Sequence, residues 1–240
     1  MFKKSFVLPQ VEASFVYPLE KGHTSTTLAI AGGREPESKW LKLLVGAYNN
    51  SKVYCADKGA KYFLGNKLAP DVVLGDADSA GTEIFAKAKS LGASVTIYPS
   101  EKDDTDLQLV LEALPQGDLI ISGIWGGRFD HLYSNVFSLA ASTQKKLGTV
   151  IMADDKEIMF FLKAKEAVDL NFKYPANIEA ISLLPLSEAT KVSLQGAHWP
   201  LEKSVLSMYH PYAISNKLEA NSKINCSCLD GMVGLYCYFN

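Results

Sequence analysis

Short apolar runs alternate with stretches of helical periodicity up to about residue 150. The runs are rich in β-branched side chains and end near glycine or polar residues, which is typical of buried strands. Between them, apolar side chains recur at the spacing of amphipathic helices. This alternation with short connections favours a mostly parallel, Rossmann-like sheet with helices on both faces. The predicted strands are 26–31, 52–56, 72–74, 94–98 and 118–124, and the predicted helices are 37–48, 59–66, 81–91 and 129–144.

The pattern changes after the apolar run at 149–153. Asp154, Asp155 and Lys156 form a predicted turn, and few helical periods follow it. Short strands at this spacing suggest an all-β sandwich or a barrel-like domain. We therefore expect an α/β domain over 1–153, with 1–24 an unassigned N-terminal arm, and an all-β sandwich domain over 154–240. The predicted strands of the second domain are 158–162, 168–172, 178–184, 191–194, 224–228 and 233–239.

Composition narrows the class of protein. The 240-residue chain is 48% hydrophobic, enough to bury one large core or two modest ones. Its formal net charge of -2 gives no electrostatic reason to expect binding to nucleic acid or to an acidic membrane. Pro9 and Pro18 interrupt the N-terminal apolar runs, and no run approaches the ~20 apolar residues of a spanning helix. We expect a soluble cytoplasmic protein. Cys226 and Cys228 give only a weak indication of a thiolate metal site, and ordinary strand packing is favoured.

Two carboxylates follow the predicted strand at 72–74. Asp76 and Asp78 are one residue apart, so both can point to one side of a chain that leaves a strand and share one hard cation. Gly75 lets a ligand approach the backbone beside them. A structural turn would use the same residue types.

A second acidic cluster lies at 103–106. The apolar residues after it have helical spacing, which predicts Asp103 or Asp104 as the N-cap and Asp106 in the first turn. Acids are common at helix N-termini because they meet the positive end of the dipole. Three Asp in four positions exceed what a cap needs. With Asp76 and Asp78, we expect Asp103 and Asp106 to supply oxygen ligands to Mg²⁺, a cation that bridges carboxylates to phosphates.

The third cluster, GGRFDH at 126–131, follows the predicted strand at 118–124. Its glycines permit a tight turn and place Arg128 near a helix start, where a guanidinium can bind phosphate oxygens. The alternative is a surface Arg128 paired with Asp130. His131 is better suited to a phosphate or structural contact than to general-base catalysis. A further glycine turn, Gly32 and Gly33, follows the first predicted strand, but it lacks the spacing of a dinucleotide fingerprint or a P-loop.

Four motifs in this order resemble the thiamine pyrophosphokinase family: ADKGA at 56–60, PDVVLGDADS at 70–79, KDDTD at 102–106 and GGRFDH at 126–131. The resemblance covers roughly residue 26 to the C-terminus. It implies transfer of the pyrophosphoryl group of ATP to the hydroxyethyl oxygen of thiamine, giving thiamine diphosphate and AMP with Mg²⁺. It also implies a β-sandwich after residue 154 and a homodimer in which the β domain of one chain contributes to the thiamine pocket of the other. The nucleotide contacts that we expect are Gly33, Arg34, Asp57, Gly59, Lys102, Arg128, Asp130 and His131.

Two residues depart from the family pattern. Lys58 stands where the family has glycine, and a lysine tolerates positive φ poorly, although it can add a cation near phosphates. Lys217 stands where the family's Ser-Asn signature continues with Glu. Ser215 and Asn216 offer donors and acceptors suited to an aminopyrimidine edge, and turn chemistry is their structural alternative. Trp199 is able to stack on a heteroaromatic ring, but packing beside Pro200 and Leu201 is favoured.

The mechanistic hypothesis assigns catalysis to Asp76, Asp78, Asp103, Asp106 and Arg128. The carboxylates hold Mg²⁺ on the ATP phosphates, Arg128 offsets charge near the transferred β-phosphoryl group, and Asp78 or Asp103 orients the hydroxyl or accepts its proton. Two other functions stay open. A glycosyltransferase would use the Asp76 and Asp78 pair for a nucleotide sugar, and a non-catalytic sensor would only bind the nucleotide. A related alcohol such as a hydroxymethyl pterin is an alternative acceptor.

Overall fold

The computed structural model describes residues 1–18, 25–76, 81–99, 105–219 and 223–240. The chain forms two compact units, which divide after Asp154. We call His23–Asp154 the α/β unit, and Met1–Gly22 together with Asp155–Asn240 the β unit. The predicted division thus differs at the N-terminus, where the arm that the sequence left unassigned belongs to the β unit.

Fifteen strands and five α-helices are present in the described residues, numbered here in chain order. The strands are β1 (Phe2–Val7), β2 (Val11–Tyr17), β3 (Thr26–Ile30), β4 (Val53–Ala56), β5 (Val72–Gly75), β6 (Ser94–Ile97), β7 (Gly117–Ser122), β8 (Leu147–Ala153), β9 (Glu157–Lys163), β10 (Glu166–Phe172), β11 (Ile178–Pro185), β12 (Ala189–Gln195), β13 (Leu201–Ser207), β14 (Lys223–Asp230) and β15 (Met232–Phe239). The helices are α1 (Ser38–Ala47), α2 (Lys58–Gly65), α3 (Thr82–Ser90), α4 (Asp106–Ala113) and α5 (Phe129–Lys145), and a 3₁₀ turn covers Pro175–Asn177.

The α/β unit is built on a sheet with strand order β8-β7-β3-β4-β5-β6, and every pairing within it is parallel. All residues of β7 and β8 are buried, as expected for apolar strands covered on both faces. Chain order runs outward from β3 through β4, β5 and β6 on one side and through β7 and β8 on the other. Such a reversal leaves a crevice at the carboxyl ends of the strands, which is where open α/β sheets bind ligands.

The β unit contains antiparallel strands. One sheet has the order β1-β2-β10-β14-β12-β13, and in a second group β15 pairs with both β11 and β9. Burial alternates along β2 and β10, so one face of that sheet points into a core. Aromatic rings join the two layers, with centroids 6.2 Å apart for Phe15 and Phe160 and likewise for Phe172 and Phe239. The mixed α/β organisation with a β-rich C-terminal part is therefore as predicted.

Cys226 and Cys228 lie on β14 as free, buried thiols. Burial is the main cause that raises the pKa of Cys228 to about 12, and it raises the pKa of Cys226 as well. Both thiols are therefore protonated at neutral pH. Strand packing accounts for them, in agreement with the favoured interpretation.

No helix in the described ranges is both long enough and apolar enough to cross a bilayer. The longest, α5, has 17 residues and carries polar side chains along its length.

Candidate active site

A cavity of about 390 Å³ opens at the carboxyl ends of the parallel strands in the α/β unit. Each wall belongs to a segment that directly follows a strand or begins a helix. The sequence predicted this convergence, because parallel strands deliver their carboxyl ends to one edge of the sheet. The glycine and polar residues that line it are Gly32, Gly33, Asp57, Lys58, Asp76, Thr105, Asp106, Gly123, Gly126, Gly127, Arg128, His131 and Asn135.

Glycines allow the loops after β3 and β7 to approach each other. The Gly33 amide donates a 2.6 Å hydrogen bond to the Gly123 carbonyl. A Cβ on Gly33 would lie 2.6 Å from the Trp125 carbonyl oxygen, and one on Gly123 would overlap the Ala31 carbonyl oxygen. Gly123 also has a φ of +66°, in the left-handed region that favours glycine. These contacts fix the floor of the cavity at the point where strand order reverses.

Asp57 follows β4 with an unusual backbone. Its φ is +46° and its ψ is -113°, a region ordinarily left to glycine, and the residue is only 5% exposed. Its amide donates a 2.9 Å hydrogen bond to the Leu74 carbonyl, which ties the end of β4 to β5. Lys58 is the first residue of α2 and does not adopt positive φ. The expectation of an unfavourable positive φ at Lys58 was therefore wrong, because Asp57 adopts the positive φ instead.

Asp76 and Asp106 bring further carboxylates to the cavity. Asp76 directly follows β5, and Asp106 is the first residue of α4. The predicted N-cap at Asp103 or Asp104 was wrong, because Thr105 caps α4. Its hydroxyl accepts a hydrogen bond from the Gln108 amide, and the Gln108 side chain accepts one from the Thr105 amide at 2.8 Å. This reciprocal pair is a capping box, which the Thr-x-x-Gln spacing allows.

Some of the predicted site lies outside the described residues. These positions are Asp78, Lys102 and Asp103. Within the described ranges, no group of three or more His, Cys, Asp or Glu side chains is arranged to hold a metal ion. Asp57, Asp76 and Asp106 nevertheless line one cavity, and carboxylate oxygens are the donors that a hard divalent cation prefers.

Arg128 combines the two arrangements that the sequence left open. It precedes α5 at the N-cap position and lines the cavity, and it also pairs with Asp130. Its Nε lies 3.1 Å and its Nη2 2.5 Å from the two carboxylate oxygens. This hydrogen-bonded pair raises the pKa of Arg128 and lowers the pKa of Asp130. His131 also lines the cavity, whereas Asp130 supports the wall from outside it.

Besides Asp130, two more of the predicted nucleotide contacts do not line the cavity. Arg34 donates from Nε and Nη2 to one oxygen of Asp154, at 2.9 and 2.7 Å, and the Asp154 side chain is 0% exposed. Gly59 packs α2 against β3, since a Cβ there would overlap the Ile30 carbonyl oxygen. In the structure, Arg34 therefore forms a buried ion pair and Gly59 allows close helix–strand packing.

Sequence reasoning missed Tyr62, which supports the first glycine turn. Its hydroxyl donates a 2.9 Å hydrogen bond to the Gly33 carbonyl. Burial raises the pKa of Tyr62, with a smaller contribution from Glu35. Its position one helical turn after Lys58, which places both on one face of α2, was the only available signal.

The predicted thiamine contacts lie in the β unit. The Asn216 side chain holds the backbone of Trp199, accepting from its amide at 3.0 Å and donating to its carbonyl at 2.7 Å. Ser215 has a φ of +58°, and its amide donates to the Ser182 hydroxyl at 3.0 Å. The expectation that Trp199 is packed was wrong: it is 56% exposed, and its ring centroid lies 4.6 Å from that of His198 in a T-shaped arrangement. Asn216 thus fixes the Trp199 backbone in the segment between β12 and β13, and the indole lies at the surface.

Comparison with known proteins matches both units. Residues 46–151 match the family model "Thiamin pyrophosphokinase, catalytic domain", and residues 169–233 match "Thiamin pyrophosphokinase, vitamin B1 binding domain". Thiamine pyrophosphokinase of Bacillus subtilis (strain 168) is 30% identical over 166 residues, which cover 68% of this chain and 76% of that protein. The chain belongs to the thiamine pyrophosphokinase family.

Solved thiamine pyrophosphokinases share the fold. The Bacillus subtilis structure superposes with a TM-score of 0.73 at 24% identity, covering 90% of this chain and all of that one. The Candida albicans structure has a TM-score of 0.72 at 14% identity and covers 100% of both chains. Thiamine pyrophosphokinases are enzymes that transfer a pyrophosphoryl group from ATP to thiamine, so family membership favours this class over a glycosyltransferase. The segment that matches the catalytic model contains Asp57, Asp76, Asp106 and Arg128.

Proposed function

We propose that this chain transfers the pyrophosphoryl group of ATP to thiamine with Mg²⁺, giving thiamine diphosphate and AMP. The observation that carries the proposal is the cavity at the carboxyl ends of the parallel strands, within the segment that matches the catalytic model. Carboxylates, a guanidinium and two close glycine turns meet there. These groups suit a metal-bound polyphosphate better than an uncharged ligand.

ATP binding is supported by the backbone around the cavity. A parallel sheet with helices on both faces, in the Rossmann-like manner, presents its ligand site at the edge where these loops meet. Gly32, Gly33, Gly126 and Gly127 have no side chain there, so a phosphate chain can lie close to the backbone. Arg128 at the N-terminus of the 17-residue α5 combines a guanidinium with the positive end of the helix dipole.

The carboxylates fit a divalent cation. Asp76 and Asp106 line the cavity and would hold it together with Asp78 and Asp103, which stay predicted ligands. Mg²⁺, when bound, neutralises phosphate charge and polarises the group that is transferred. A donor set of carboxylate oxygens suits Mg²⁺ better than a metal that prefers thiolate or imidazole ligands.

The chemistry requires one displacement at phosphorus. The thiamine hydroxyl oxygen forms a bond to the β-phosphorus of ATP, and the bond from that phosphorus to the α,β-bridging oxygen breaks. AMP departs with the bridging oxygen, and a carboxylate takes the hydroxyl proton, for which Asp78 or Asp103 stays our prediction. Arg128 offsets the charge that develops near the transferred group. The residues thus act mainly by alignment and electrostatics.

We propose that the β unit binds thiamine through Trp199. Its exposed indole is available to stack on a heteroaromatic ring, and the Asn216 clamp orders its backbone beforehand. Ser215 lies beside Asn216 in the same matched segment. Preorganisation of this kind lowers the entropy lost when a ligand binds.

We also propose a homodimer. Exposed apolar side chains occur in each unit: Phe129 and Tyr133 lie on α5 at 77% and 56% exposure, and Tyr209 is 80% exposed in the β unit. Patches of this kind mark interaction surfaces. Light scattering should give twice the 26.2 kDa of one chain. A mass equal to one chain at all concentrations tested would contradict the dimer.

The activity is tested by incubating the purified chain with ATP, Mg²⁺ and thiamine and resolving the products by chromatography with mass detection. We expect AMP and thiamine diphosphate in equal amounts, because the pyrophosphoryl group moves in one step. ADP with thiamine monophosphate would contradict this chemistry. Binding of ATP without any thiamine product would point to another alcohol as the acceptor, with a hydroxymethyl pterin as the first to try.

A further inference from the structure

Lys58 is a cation at the cavity that the chemistry described above does not use. It is the first residue of α2, it is exposed, and it lines the cavity together with Asp57 and Asp76. Among the residues that the structure describes, no carboxylate forms an ion pair with Lys58. Arg128, by contrast, has two of its nitrogens on Asp130.

The charges around the cavity call for such a cation. Three carboxylates, on Asp57, Asp76 and Asp106, line it, whereas the only Lys or Arg side chains among its described lining residues are Lys58 and Arg128. A polyphosphate chain that enters beside these carboxylates meets like charge, which disfavours binding unless cations offset it. Lys58 adds a charge that does not depend on the metal.

The root of the Lys58 side chain is fixed against the first glycine turn. A Cβ built on Gly32 would lie 3.0 Å from the Lys58 Cβ, so the two backbones are in close approach. One turn further along the same helix face, Tyr62 donates to the Gly33 carbonyl. The ammonium group therefore extends from a rigid origin next to the loop where the phosphates are expected, and only the flexible stem has to be ordered on binding.

We propose that Lys58 binds the polyphosphate chain of the nucleotide and makes this site prefer a nucleoside triphosphate to a monophosphate. The proposal rests on the proposed function. The preference follows from charge, because a triphosphate carries more negative charge than a monophosphate does. It would also help AMP to leave after the transfer, since the product no longer carries the phosphates that Lys58 binds.

The test is equilibrium binding of ATP and of AMP, measured by calorimetry with Mg²⁺ and without thiamine. The variants are Lys58→Gln, Lys58→Arg and, as the matched control, Lys61→Gln, which removes an exposed lysine of the same helix that does not line the cavity. We expect Lys58→Gln to weaken ATP binding about tenfold, the effect of losing one charge-assisted contact. AMP binding should stay the same, Lys58→Arg should retain most of the ATP affinity, and Lys61→Gln should match the wild type.

Three results for Lys58→Gln would overturn the proposal. Lys58→Gln could leave ATP affinity unchanged while the wild type still makes thiamine diphosphate, so that the proposed function stands and the role of Lys58 falls. It could weaken ATP and AMP binding equally, which would show that Lys58 does not distinguish a triphosphate from a monophosphate. It could tighten Mg²⁺ binding without changing ATP affinity, which would show that Lys58 only screens the carboxylates. A wild type that neither binds ATP nor makes product would refute the proposed function as well.

Discussion

Asp76→Asn should lower kcat/KM for thiamine diphosphate formation by about 10³-fold, which corresponds to about 4 kcal/mol of transition-state stabilisation. Asp76 follows β5 directly and lines the cavity. An amide in its place keeps the size of the side chain but removes the charge with which it would hold the cation. Steady-state kinetics with saturating Mg²⁺ measures the effect. The loss should appear mainly in kcat, because alignment of the phosphates for attack depends on the metal.

Glu83→Gln is the control for this variant. Glu83 is an exposed acid on α3 that does not line the cavity, so its loss should leave the kinetics unchanged. Thermal melting of Asp76→Asn should match the wild type, which separates a catalytic effect from unfolding. If the wild type showed no turnover and Asp76→Asn lost only metal-dependent ATP binding, the chain would be a nucleotide sensor and not an enzyme.

Arg34→Met should lower the free energy of unfolding by about 3 kcal/mol, because it leaves the Asp154 carboxylate buried without its guanidinium. The Asp154 side chain is 0% exposed, and Nε and Nη2 of Arg34 donate to the same carboxylate oxygen. Methionine retains much of the apolar stem of arginine, so the charge is the main thing removed. Urea unfolding measures the change through the shift of the midpoint.

The double variant Arg34→Met/Asp154→Asn isolates the cause of this loss. Neutralising the buried carboxylate removes the charge that Arg34 balances in the wild type, so the double variant should be more stable than Arg34→Met alone. ATP affinity, measured below the melting transition, decides what else Arg34 does. If Arg34 is only structural, Arg34→Met should bind ATP as tightly as the wild type. If Arg34 contacts the nucleotide, as the sequence predicted, Arg34→Met should bind ATP more weakly. Equal stabilities for Arg34→Met and the wild type would contradict the importance of the pair.

Local periodicity predicted the elements whose side chains are buried in a regular pattern. The run predicted at 26–31 became β3 (Thr26–Ile30), and the helix predicted at 37–48 became α1 (Ser38–Ala47). β13 was missed because only one of its residues, Leu206, is buried, so it gives little apolar signal. The N-terminal arm stayed unassigned because β2 pairs with β10, whose residues lie about 150 positions later. A local pattern contains no information about that partner.

The sequence predicted which strand ends carry the residues of the candidate site, but not the long-range contacts around them. Residues that follow parallel strands must meet at one edge, so Asp57, Asp76, Asp106 and Arg128 were expected together and all four line the cavity. The partner of Arg34 was not predictable, since Asp154 is 120 positions away. Trp199 was misjudged because apolar neighbours in sequence, Pro200 and Leu201, do not show whether a side chain is buried in the fold.

Asp57 is held in a backbone conformation that lowers the stability of the fold. A non-glycine residue at positive φ costs on the order of 1 kcal/mol or more, and glycine would remove that strain. A glycine would also remove a carboxylate from the cavity. Under the proposed function, selection for stability alone would therefore replace Asp57, and selection for turnover would keep it. This makes position 57 a place where engineering for heat resistance and engineering for activity work against each other.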